Sequence, residues 1–290
     1  MNKLKRHTLV MNFDENLISK FNGENILITS DSFNLLNRTY DVVNQNNKLV
    51  NVTVYTQSAL TSIKFLENWN RIPLALYLPS MGSYRMFFHM LPVLRQMNLR
   101  IYLPVSNNQN IIDVQMMASL GIFAGIYFDK KPINWEKVKE LAFYSQYSKS
   151  QHAPVEPFHH ISSKYKSDET LDFNAVYYND PNQFLHINNE GKVALTYQLL
   201  KEGKFALESY LQINTLKENE DFVNYNTAWQ RHFLDKTTCS YCPAWRICMG
   251  KFESSIDAEK SCQQLFVEVL EGAENHQEKN KRKPEKVWQL

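Results

Sequence analysis

No stretch of this sequence approaches the about 18 consecutive apolar residues that a membrane-spanning helix needs, so no span is expected. Charge of one sign is also missing. Thirty-two basic residues face thirty acidic ones for a net +2, without the excess that draws a protein to nucleic acid or an anionic membrane. Neither partner is expected. Near the start, the apolar run Thr8-Leu9-Val10-Met11 is too short for a signal-peptide core, and no small-residue cleavage site follows. A cytoplasmic location is expected. Cysteine is missing from the first 238 residues, and then Cys239, Cys242, Cys248 and Cys262 fall within 24 positions. In a reducing compartment such clustering points to metal rather than disulfides.

What is present is enough apolar material, 43% of 290 residues, to bury one substantial core plus a small unit that needs its own staple. Between residues 24 and 160, short apolar runs alternate with segments of helical periodicity, the pattern of βα units around a parallel sheet. The clearest strands are Leu74 to Leu78, Arg100 to Val105 and Phe123 to Phe128. Asn25 to Thr29 and Asn51 to Thr56 read as weaker ones. Helices are expected over Ser83 to Met97, with Pro92 as a kink, over Ile111 to Leu120, stopped by Gly121, and over Trp135 to Tyr147, capped by Asn134. Five or six such units are too few for a closed eight-fold barrel, so an open or partial barrel or a doubly wound sheet fits better.

Residues 161 to 172 read as a polar linker, followed by strands at Phe173 to Tyr178 and Phe184 to Ile187. Asn188-Asn189-Glu190-Gly191 is a strong turn that returns into Lys192 to Leu195 as a hairpin. A last helix is expected over Asp257 to Leu270, and the charged stretch Glu274 to Lys286 as a frayed tail. The chain therefore divides into an α/β barrel-like part over 1–172, a small Cys-rich metal-binding part over 173–273 and a tail over 274–290.

Cys239-Ser240-Tyr241-Cys242 is a knuckle whose two sulfurs can face one ion, and Cys248 and Cys262 supply two more thiolates. Four soft ligands suit tetrahedral zinc or an iron–sulfur cluster. The absence of a second knuckle favours one cluster, a [4Fe–4S] cubane, with zinc as the alternative. Trp229, Tyr241, Trp245 and Phe252 flank the thiols as a shield or as peptide contacts. The knuckle, its third cysteine and the hairpin before it resemble the SPASM domain that follows a radical-SAM barrel in peptide-modifying enzymes. That family's Cys-x3-Cys-x2-Cys loop and its Gly-Gly-Glu segment are both missing. The resemblance therefore implies a pseudo-radical-SAM protein without S-adenosylmethionine and without catalytic residues of its own. It implies an accessory role, binding a precursor peptide or a partner maturase in ribosomal peptide modification.

Two other segments carry chemistry. His152, Glu156, His159 and His160 place three imidazoles and a carboxylate close together, as an enzyme or a second metal site would. Packing is the plainer reading, since the spacing matches no metalloenzyme motif. Tyr84, Arg85 and His89 follow a turn at Ser80 to Ser83 and could meet an anion, or be ordinary turn chemistry. The remaining alternatives are an electron relay through the cluster and a zinc-stapled adaptor.

Overall fold

Apolar runs that recur every 20 to 25 residues become neighbouring parallel strands here, because each is followed by a connection that crosses back over one face. The computed structural model describes residues 7–129, 133–252 and 259–281. Its strands are β1 (Thr8–Asn12), β2 (Asn25–Ser30), β3 (Lys48–Tyr55), β4 (Leu74–Tyr77), β5 (Leu99–Pro104), β6 (Ala124–Tyr127), β7 (Val155–Glu156), β8 (Phe184–Ile187) and β9 (Val193–Ala194). They form a single sheet in the order β7-β6-β5-β4-β3-β2-β1-β8-β9. Every pairing from β7 to β8 is parallel, and only β9 runs antiparallel, on β8. The order is sequential, but β7 and β8 are not neighbours, so the sheet stays open.

The connections carry α1 (Glu15–Ile18), α2 (Leu36–Asn46), α3 (Tyr84–Leu94), α4 (Asn108–Ser119), α5 (Trp135–Tyr147) and α6 (Phe158–Lys164). Local signals place several of them. The Asn134 side chain accepts the Lys137 N–H at the start of α5, and Asn107 does the same for Gln109 in α4, each satisfying a donor that a helix leaves open. Gly121, at φ +83°, takes the left-handed turn after α4 that an L side chain resists. Pro92 is accommodated inside α3, two residues before the helix ends.

The two faces of the sheet differ in chemistry. Leu9, Met11, Ile26, Ile28, Val52, Val54, Leu74, Leu76, Ile101, Leu103, Ala124 and Ile126 all enter the large apolar core. The alternate positions point the other way. There stand Thr53, Tyr55, Ala75, Tyr77, Arg100, Tyr102, Gly125, Glu156 and His186, and Ala75, Tyr77 and Tyr102 form a separate cluster of their own. A flat sheet would hold β5 and β8 about 24 Å apart, five spacings of about 4.8 Å. Yet Arg100 of β5 donates to Tyr178 Oη at 2.9 Å, and Tyr178 packs on Phe184 of β8 with ring centroids 5.4 Å apart. The sheet curls around its polar face.

Gly125 is needed on that face. A Cβ there would sit 2.8 Å from the Glu156 Cβ, 2.9 Å from its carbonyl oxygen and 3.0 Å from a Tyr102 ring carbon. Two of these atoms belong to rigid parts of β7, so the strands must part. Gly125→Ala is expected to cost about 1–3 kcal/mol, measured as a shift in the urea midpoint; an unchanged midpoint would show that β7 yields freely.

Several expectations are corrected. Phe173 to Tyr178 is not a strand but a 3-10 turn, Phe173–Tyr177, because its side chains anchor into the polar face instead of pairing along an edge. Part of the expected linker is α6. The hairpin expected to open a Cys-rich SPASM-like unit exists, but β8 pairs with β1, so it is an edge of the main sheet. The fold is mixed α/β around one large sheet, and no Cys-rich metal-binding cluster is found among the described residues. Beyond β9 come α7 (Tyr197–Lys201), α8 (Glu220–Thr227), α9 (Gln230–Leu234), α10 (Trp245–Cys248) and α11 (Glu259–Lys281). The last helix runs past Leu270 because it is docked. Lys139 pairs with Glu268 at 2.8 Å, Gln146 donates to the Val269 carbonyl at 3.1 Å, and Tyr165 Oη donates to Glu274 at 3.2 Å. The expected start of this helix, at Asp257, lies outside the described residues. No helix among the described residues is long and apolar enough to cross a membrane.

Candidate functional site

The four cysteines do come together. Cys239 and Cys242 lie in and just after a 3-10 turn, Thr238–Tyr241, Cys248 ends α10, and Cys262 sits on α11. All four line one cavity of about 20 Å³ together with Trp245, Gly250 and Phe266, and no disulfide joins any of them. Such a volume has room for about one water. Burial pushes the Cys248 thiol up to about 12 and raises that of Cys242 as well. Among the described residues no three of His, Cys, Asp and Glu are placed to hold a metal ion. This overturns both the [4Fe–4S] cluster and its zinc alternative on Cys239, Cys242, Cys248 and Cys262. Of the expected shield, Trp245 lines the cavity, Trp229 stacks on it at 5.2 Å, and Phe252 stacks on Phe266 at 5.5 Å. Tyr241 is 74% exposed and shields nothing.

The histidine segment does not converge. His152 lies against Tyr144, ring centroids 4.7 Å apart, and its Nδ1 meets the Ala153 carbonyl oxygen at 2.8 Å. His159 stands edge-on to Phe123 at 6.4 Å. Among the described residues the one hydrogen bond within this group runs through the main chain: the His160 N–H donates to the Glu156 carboxylate at 2.9 Å. Glu156 is buried on the polar face. Its burial raises its pKa to about 7, against the pull of the His160 N–H and of Arg100. At the other expected anion site, Tyr84 Oη donates to Asp113 at 2.9 Å, and Arg85 and His89 point to solvent.

The site that the polar face builds is a row of tyrosines. Tyr55, Tyr77, Tyr102, Gly125 and Glu156 are Cα partners in successive strands, so their side chains stand side by side. Tyr55 stacks on Tyr77 and Tyr77 on Tyr102, each at 4.8 Å, while Tyr127 tilts against Tyr77 at 5.5 Å. Tyr197 at the start of α7 stacks on Tyr55 at 5.4 Å, 7° from parallel. Between these rings and the turn at 174–179 opens a cleft of about 360 Å³, with Gln57, Asn174, Asn179 and Lys251 as its polar lining. Tyr55, Tyr77 and Tyr127 are the last residues of their strands, so the cleft lies at the carboxyl ends, where sheets of parallel strands receive ligands. A larger groove of about 820 Å³ lies at the opposite ends, beside His7, Leu9 and Glu24.

Among the described residues, two buried polar groups on this face have no hydrogen-bond partner, Tyr77 Oη and the two ring nitrogens of His186. A buried polar atom left so is rare in native proteins and asks for a ligand or a water. Burial pulls the His186 pKa down to about 4, the nearby Tyr178 main chain offsetting part of this without reaching hydrogen-bond geometry. Burial likewise raises the Tyr77 and Tyr102 phenols well above their ordinary value, so both stay protonated. Lys251 is exposed as a residue, yet its ammonium sits 5.0 Å over the Phe173 ring and 5.8 Å over that of Tyr177 and donates to Asn174. Crowding by these neighbours lowers its pKa to about 8, with Asp172 and Cys248 pulling it back up.

The sequence held one sign of this row that periodicity alone passed over. Tyr55, Tyr77, Tyr102 and Tyr127 recur at intervals of 22, 25 and 25 residues, in step with the βα units. Against family models, curated proteins and solved structures, the chain shows no match. The resemblance to SPASM-domain, pseudo-radical-SAM proteins is thereby corrected: it rested on cysteine spacing and a hairpin, and the hairpin belongs to the main sheet while the thiols are not arranged around a metal.

Proposed function

We propose that this protein acts by binding, and that it holds a peptide segment in the tyrosine cleft. The observation that carries the reading is the buried, unpartnered Tyr77 Oη in the wall of an open cleft at the strands' carboxyl ends. Stacked rings supply rigid contact area at low entropic cost. Gln57, Asn174 and Asn179 bring amides that can serve the main chain of an extended peptide. The volume lies within the range of small-ligand sites. A cytoplasmic place of action is supported by four cysteines that lie together with no disulfide between them.

The test is isothermal titration with acetylated tripeptides centred on Phe or Tyr. Saturable binding is expected, and Tyr197→Ala should weaken it about tenfold, the equivalent of about 1.4 kcal/mol for a lost stacking partner. Tyr197 is half-buried and stacks on Tyr55 from the cleft side, so the fold should survive the change. Absence of saturation up to millimolar peptide across the set would reject the reading.

A further inference from the structure

We infer that the cleft selects an aromatic carboxylate, with Lys251 as the cation that recognises it and the chain Asp172–Tyr225–Asn174 as the device that aims Lys251. This deepens the binding reading above and rests on it.

The hydrogen bonds leave one arrangement. Tyr225 Oη donates to Asp172 Oδ2 at 2.9 Å, so its oxygen is free to accept, and Asn174 Nδ2 donates to it at 3.0 Å. The Asn174 amide is thereby fixed with its oxygen outward, and that oxygen receives Lys251 Nζ. Asp172 Oδ1 accepts the Asn174 main-chain N–H at 2.7 Å. Both oxygens of the nearby carboxylate are thus engaged in holding Asn174, and among the described residues no carboxylate forms an ion pair with Lys251. An ammonium has three donors, and among the described residues one is used. The other two remain for a guest.

The partner they call for is an anion with paired acceptors, and the walls say what it is attached to. The stacked rings of Tyr197, Tyr55 and Tyr77 wall the cleft with aromatic rather than charged surface, which suits an aromatic group. Phe173 and Tyr177 beneath the ammonium lower its access to water without neutralising it. A charge-assisted contact in such surroundings is stronger than one in open solvent. A ring against the tyrosines and a carboxylate on Lys251 fill a cleft of about 360 Å³.

Two probes that differ only in charge test this: N-acetylphenylalanine and its primary amide, titrated calorimetrically into the full chain. The acid is expected to bind at least tenfold more tightly than the amide. In Lys251→Gln the ratio should fall to about one. Tyr225→Phe keeps the ring but frees Asn174, and the ratio should fall part of the way while the amide still binds. Far-UV circular dichroism and the thermal midpoint establish that each variant is folded; should Lys251→Gln fail to fold, Tyr225→Phe decides alone. Equal binding of acid and amide by the parent protein overturns this inference and leaves the binding reading standing. A ratio unmoved by both substitutions overturns the role of Lys251. Binding of neither probe removes the cleft itself as the site.

Discussion

Replacing Phe173 by alanine is expected to lower the free energy of unfolding by about 3–5 kcal/mol. The ring is 1% exposed and sits where four others meet, with centroids 5.5 Å from Phe128, 5.7 Å from Tyr177, 5.7 Å from Phe252 and 5.8 Å from Phe266. These partners come from the end of β6, the 3-10 turn, the segment after α10, and α11. Because they are fixed on separate elements, they cannot all move in to fill the space, and a cavity term adds to the lost transfer energy. The ring also floors the ammonium of Lys251, so loss of stability should be joined by weaker binding of the acid probe. Urea denaturation followed by far-UV circular dichroism measures the first effect. A loss below about 1 kcal/mol would mean that the aromatic cluster does not hold the carboxy-terminal helix to the sheet.

The second large effect concerns Glu156. Its pKa in the folded chain, about 7, lies above the usual carboxylate range near 4.3–4.5, so the native state prefers the protonated acid. Below about pH 4 the group is protonated in both states and contributes no penalty. As pH rises through the window from about 4.5 to 7, the native state holds the proton longer than the unfolded chain, and stability falls. At about 1.36 kcal/mol per pH unit the loss amounts to at most about 3 kcal/mol. Glu156→Gln keeps an acceptor for the His160 N–H and cannot ionise. The variant is expected to match the parent near pH 4.5 and to exceed it above pH 7, less whatever Arg100 contributes to the ionised form.

His160 and His186, each pulled down to about 4 by burial, act in the opposite sense: neutral in the folded chain, they stabilise it above pH 6.5 and lose that contribution as pH falls to 4. The informative quantity is therefore the difference between variant and parent across the range, from which the histidines cancel. A flat difference from pH 4.5 to 8 would show that Glu156 ionises as freely in the native state as in the unfolded one.

How far these features were legible varies with the range of the forces behind them. β4, β5 and β6 could be read because a parallel strand covered by helices is an unbroken apolar run, and α5 could be read to the residue because Asn134 caps it and Trp135, Val138, Leu141 and Ala142 mark its buried side. β1 was missed. Leu9, Val10 and Met11 are as apolar as a strand should be, but five residues without a flanking turn signal carry too little pattern to be separated from a leader segment. The 3-10 turn Phe173–Tyr177 reads as a strand for the opposite reason: its aromatic residues have high β-propensity, and the contacts that curl it, such as Tyr177 Oη on the Ile126 carbonyl at 2.9 Å, come from 51 residues away. The candidate site shows the same split. The four cysteines were visibly a group, and they do share a cavity. Spacing said nothing of how the sulfurs are disposed or of the burial that keeps the Cys248 thiol neutral.

By itself the sequence determined the alternation of strands and helices, the caps that bound α4 and α5, the turn that folds β9 onto β8, and the recurrence of a tyrosine in each of four successive units. The alternation, the caps and the turn depend on neighbours within a few residues, through hydrogen bonds of the main chain and the periods of strand and helix. Only the tertiary structure decided that the tyrosines share one face, that the sheet stays open between β7 and β8, that Asp172 and Tyr225 aim Asn174 at Lys251, and that Glu156 keeps its proton toward neutrality. Register between strands, desolvation and hydrogen-bond direction are properties of groups far apart in the chain. They take their values only when packing brings those groups together.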